Sequence, residues 1–133
     1  MKRPGSVTVV SIYLWIVAIS ALLVGAVFTL ASFADDVEAT TGLTSTEVLV
    51  AGIVELVIGL LVVWAAMSLA KGGDTARSVV SAVMVIRIVA TVVVVAWIHT
   101  ANYVLAGALH VILPMLVIWA LHTERADAWF DAN

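Results

Sequence analysis

The chain has 133 residues, 64% of them hydrophobic and only 11% charged, against about 25% charged in a soluble domain. It has no cysteine, which excludes disulfides, thiolate metal sites and thiol catalysis. The net charge of −3 comes without any basic block, so nothing points to nucleic acid. The composition is that of an integral membrane protein, a single membrane domain over 1–133 whose main partner is the lipid bilayer. Heavy use of Val, Ala, Asp and Thr with few Lys suggests a GC-rich bacterial genome.

Lys2, Arg3, Pro4 and Gly5 form a short basic start, and Ser6 is positioned to cap a helix. Residues 7–34 carry no charge and are long enough to span a bilayer with some tilt. A cleaved signal peptide is the competing reading, with Ser32 and Ala34 at the −3 and −1 positions. The apolar run is longer than the ~7–15 residues of such a segment, which favours a retained helix. Ala21 and Gly25 have the small-xxx-small spacing that lets helices approach closely.

Residues 35–45 read as a polar, acidic loop. Thr44 followed by Glu47 reads as a capping box opening a second helix over 46–70. In that helix Gly52, Gly59 and Ala66 recur every seven residues, and Glu55 shares their face. The pattern predicts that Glu55 lies in a close helix contact rather than in lipid. Lys71-Gly72-Gly73-Asp74 is a turn, with Gly72 as C-cap and Asp74 as N-cap.

The third helix covers 75–98 and holds Arg87, with Thr91 one turn further on. Its β-branched end would suggest a strand in water, but in lipid the backbone must satisfy its own hydrogen bonds and the helix prevails. Residues 99–102 form a tight connection to a fourth helix over 102–121, interrupted by Pro114. Proline there removes the donor to the carbonyl of His110. The tail, 122–133, places Ala126, Trp129 and Phe130 on one face, which suits a stub lying on the membrane surface.

The two turn-linked helices are necessarily antiparallel neighbours. Counted from their outer ends, Glu55 lies nine residues in and Arg87 eleven. At ~1.5 Å per residue those depths are ~13 and ~17 Å, near the middle of a ~30 Å core. A charge there costs at least ~2.5–3.5 kcal/mol, so it seldom faces lipid. An ion pair between Glu55 and Arg87 is the expectation, with His110 or Thr91 as further neighbour and the arginine keeping the carboxylate ionised. Paired haem ligands would need two histidines at one depth, and His99 and His122 sit at opposite edges from His110. No metal cluster, catalytic triad or phosphate loop is visible, so neither a metal, a cofactor nor enzymatic chemistry is expected.

Lys2, Arg3, Lys71, Arg77 and Arg125 all flank one side of the four apolar runs. The positive-inside rule then puts both termini in the cytoplasm, with the chain in the cell membrane. Trp15, Trp97, Trp119 and Tyr103 suit an interfacial aromatic belt. Gly52-x-x-Glu55-x-x-x-Gly59 matches Gly107-x-x-His110-x-x-x-Pro114 in spacing, but a single match is better explained by chance than by a repeat.

The fold class expected is all-α: an antiparallel four-transmembrane-helix bundle. The leading functional expectation is a structural or accessory subunit, joined to itself or to a larger membrane complex through Ala21, Gly25, Gly52, Gly59 and Ala66. The alternative is a small ion- or proton-coupled transporter or channel using Glu55, Arg87 and His110.

Overall fold

The computed structural model describes residues 2–98 and 101–133. His99 and Thr100, and with them the predicted tight connection, lie outside the described residues, as does the side chain of Tyr103. The elements are α1 (Gly5–Ala31), α2 (Val37–Thr41), α3 (Ser45–Lys71), α4 (Asp74–Ile98), α5 (Ala101–Leu121) and α6 (Glu124–Asp131). No strand occurs among the described residues. Four of the helices, α1, α3, α4 and α5, are each long and apolar enough to cross a membrane.

Local chemistry sets the ends. The predicted capping box at Thr44 forms: Glu47 N–H donates to Thr44 Oγ1 at 3.2 Å, and Thr44 N–H donates to Glu47 Oε2 at 2.8 Å. Gly72 ends α3 at φ 76°, and Gly73 follows at φ 86°, so the turn has the two consecutive positive φ values that glycine tolerates. At the start of the chain, Pro4 rather than Ser6 is the N-cap residue, since Ser6 is already inside α1. Proline fits that junction because its missing N–H is one that a first turn leaves unbonded anyway.

Packing is uneven. α1 lies tightly along α3, α3 packs on α4, α4 on α5, and α1 touches α5 more lightly. The α1–α3 contact is built from glycine backbone. A Cβ at Gly52 would fall 2.6 Å from Thr29 Oγ1 and 2.7 Å from Thr29 N, and one at Gly25 would fall 2.8 Å from Leu56 N. Ala18, Ala21, Gly25, Gly52, Gly59 and Ala66 are all buried within the chain. The outward faces instead carry large apolar side chains such as Leu30, Leu60, Leu105 and Trp119. That inversion, small inside and large outside, is what lipid as solvent allows, because outward apolar area is not penalised there.

One core cluster joins the beginnings of α1 and α4 to the ends of α3 and α5, through Val7, Leu14, Leu69, Val80 and Leu121. α6 closes this end. Its face of Ala126, Trp129 and Phe130 belongs to the same cluster, with Phe130 only 1% exposed. Arg77 donates to both Asp74 and Asp127 and lies over the Phe130 ring, while Arg3 lies over Trp129. The tail is therefore a cap folded onto the protein, not a stub on the membrane. The side-chain-free Gly72 leaves room for the Trp129 ring, and Arg77 supplies the partner that turns the amphipathic face inward.

The opposite end is closed differently. The supposed loop contains α2, which ends at Gly42 in the left-handed region. Val37 and Leu43 are buried with Val48, against Phe28 and Val94, so the segment is a lid with an apolar underside. Ser45 Oγ donates to the Ser32 carbonyl at 2.7 Å and ties the lid's two ends together.

The glycine contacts make a graded prediction. Gly52→Ala forces backbone against Thr29 and is expected to lower stability in detergent by ~1–3 kcal/mol. Gly59→Ala meets mainly the flexible Leu22 side chain at 2.9 Å and is expected to be milder. Thermal unfolding of the two variants side by side tests the order; a reversed order contradicts the packing described.

Candidate functional site

Glu55 on α3, Arg87 and Thr91 on α4 and His110 on α5 line one cavity of ≈200 Å³. Its other walls are apolar, including Val24 and Phe28 of α1, Ile58 of α3 and Val94 of α4. A second cavity of ≈180 Å³ meets the same Glu55, Arg87 and His110 from the α1–α5 side, past Ile16 and Ser20. The polar trio thus forms a floor shared by two hollows. Toward the chain termini the floor rests on packed residues such as Leu14, Val62, Val83 and Met84. Toward α2 the first cavity reaches Phe28 and Val94, on which the lid packs.

Arg87 is held by its place in α4, where the neighbouring turn presents Val80, Val83 and Met84 to the core. Its side chain is buried, at 6% exposure. Arg87 Nη2 donates to His110 Nδ1 at 2.8 Å. A guanidinium has no lone pair to offer, so His110 must accept through an unprotonated Nδ1, and its proton is on Nε2. The remaining guanidinium nitrogens, Nε and Nη1, are buried and have no partner among the described residues.

The expected ion pair is not formed. Among the described residues the ion pairs are Arg77–Asp74 and Arg77–Asp127; Glu55 and Arg87 share a cavity without an N–O contact of 4.0 Å or less. The reason is directional. Arg87 reaches across to α5, where His110 stands at matching depth, and the cavity occupies the space on the α3 side. Thr91, the other expected neighbour, turns its hydroxyl to its own helix and donates to the carbonyl of Arg87 at 2.8 Å. Such back-bonding one turn down is a common alternative for threonine within a helix.

His110 is exposed on the outside of the helix array, not enclosed as a core histidine. Pro114 lies inside α5 and is buried one turn below it, so the His110 carbonyl has lost its regular helical donor. The α1 wall of the cavity was not marked by the sequence, because α1 contains no charge to single out a face. No group of three or more metal-ligating side chains occurs among the described residues.

This arrangement can hold a polar group: it offers buried N–H donors from Arg87, a carboxylate side chain across the cavity, and otherwise apolar walls. A neutral-to-apolar replacement at Arg87 should then cost little. Arg87→Met is expected to change unfolding stability by under ~1 kcal/mol, since it removes a buried charge along with one hydrogen bond. A closed ion pair would instead lose ~3–5 kcal/mol on removal of one partner. Denaturation of the variant in mild detergent separates the two. No protein-family model, curated protein or solved structure matches this chain.

Proposed function

We propose that the chain is a small carrier in the cell membrane, binding a small polar or ionic substrate midway across at Glu55, Arg87 and His110. The observation carrying this reading is Arg87: a buried cation, two of whose nitrogens have no partner among the described residues, lining a cavity that the Glu55 carboxylate side chain also lines. A charge pair kept only to lock helix register has no use for a hollow between its members. Intramembrane ionisable groups that line a cavity are the usual mark of a substrate or proton pathway.

The hollow on one side of the polar floor and the packed core on the other support a state hollow beneath the α2 lid and packed toward α6. In this reading the four long helices form a closed antiparallel bundle with both termini in the cytoplasm. Support for that orientation comes from Lys2, Arg3, Lys71 and Arg77, which belong to the end that α6 caps. The packed side then faces the cytoplasm and the α2 lid faces outward. The accessory-subunit reading draws less support, because Gly25, Gly52 and Gly59 are already occupied by contacts inside the chain.

Two measurements bear on this. Protein reconstituted in liposomes should carry protons or small ions above the protein-free rate, and Arg87→Gln should lower that flux by about tenfold or more, the loss expected when charged hydrogen bonds to a substrate are removed. Equal flux with and without protein, over a panel of small ions, contradicts the proposal. Reporter fusions at Thr41 and Gly73 should mark opposite sides of the membrane, Gly73 cytoplasmic; a shared side contradicts the topology.

A further inference from the structure

We infer that the substrate is a monoanionic carboxylate with an apolar tail, and that it enters the site together with one proton taken up by Glu55. This rests on the carrier reading above and specifies its ligand and coupling.

The anionic group follows from Arg87. Its Nε and Nη1 are buried and unpartnered, and planar guanidinium nitrogens match oxyanions better than they match spherical ions. The tail follows from the walls. Val24, Phe28, Ile58 and Val94 surround a space of ≈200 Å³. An apolar cavity of ~150 Å³ accommodates a benzene ring, so a short chain or a single ring fits here.

The proton follows from charge balance. Arg87 is always cationic, and His110 is neutral while its Nδ1 accepts from Arg87. An ionised Glu55 makes the empty layer neutral overall. An added anion would leave one uncompensated negative charge inside the membrane, a state the protein avoids by binding a proton. The groups near Glu55 narrow the acceptor. On α4 there is Arg87, which cannot take a proton; on α5 there is His110, whose Nδ1 is engaged and whose Nε2 is already protonated. On α1 the cavity wall offers Ser20, a hydroxyl that does not take up a proton. The carboxylate of Glu55 is the acceptor left, and once protonated it can also donate to the bound anion. No other bond forms or breaks.

Two routes reach the site, so the carboxylate has two sources. The cavity under the α2 lid suits a free carboxylate from water. The second hollow, between α1 and α5, comes out beside the exposed Ile16 and His110, where the surrounding medium is lipid. That route suits the head group of a fatty acid.

The test is calorimetric titration of the full chain in non-ionic detergent, with benzoate as the free carboxylate and oleate as the lipid one, each in buffers of different ionisation enthalpy. The expected result is binding with about one proton taken up per carboxylate. Glu55→Gln, which mimics the protonated acid, should still bind but with the proton uptake gone. Arg87→Gln should lose binding at least tenfold; Arg87→Lys, which keeps the charge without the planar donors, should be weakened too. Binding of oleate alone supports the inference and makes the lipid the source; binding of benzoate alone makes it the aqueous phase. Binding without proton uptake, or uptake that persists in Glu55→Gln, overturns the coupling. Failure of both carboxylates to bind overturns the ligand class, while the carrier reading still stands or falls on the ion-flux panel.

Discussion

The interaction on which the rest depends is the one Arg87 makes and the ones it does not make. A guanidinium cannot shed its charge, so its presence half-way along a membrane helix dictates what surrounds it. Here one nitrogen donates to the neutral His110 ring and two more find nothing. The cation is shielded by its burial, and Glu55 lines the same cavity without touching it. Hydrogen-bonded charge in a low-dielectric interior is strongly stabilised only when its partners are in place. The proposed binding site rests on these buried, unmatched donors.

The cavity itself is a consequence of how the helices divide the small residues. Gly25, Gly52 and Gly59 bring the α1 and α3 backbones into contact, so that pair has no room for a site. α4 presents β-branched side chains and Arg87 on the other side, and its partner α5 is loosened at His110 by Pro114. The hollow lies on the flank of this pair that faces α4 and α5. Both ends are then closed by short helices: α6 by an arginine clamp and aromatic burial, α2 by a small apolar underside. The central cavity and the packed ends are thus built from different residues of the same four long helices and their two short caps.

Much of the helical content was legible because lipid removes the alternatives. Long uncharged runs have to be helical there, and Thr44, Glu47, Gly72 and Gly73 mark their ends by chemistry that does not depend on tertiary context. What could not be read was direction around the helix axis. Depth along the chain puts Glu55, Arg87 and His110 in one layer, and they do share a cavity, but depth leaves open which partner the guanidinium reaches. The small-residue series identified a tight contact without saying whether it lay inside the chain or between chains. The tail's apolar face fitted a membrane surface as well as a protein core. Arg77, fifty residues away, decided that matter, and no local pattern connects it to Asp127.

The central claim is that Glu55 and Arg87 serve one open site and are not a closed pair. A double-mutant cycle of Glu55→Gln and Arg87→Met, read as unfolding free energy in detergent, measures their coupling directly. The account predicts a coupling under ~1 kcal/mol in the absence of ligand, as for charges separated by a cavity. A coupling of ~3 kcal/mol or more, the size expected of a buried ion pair in contact, would contradict it.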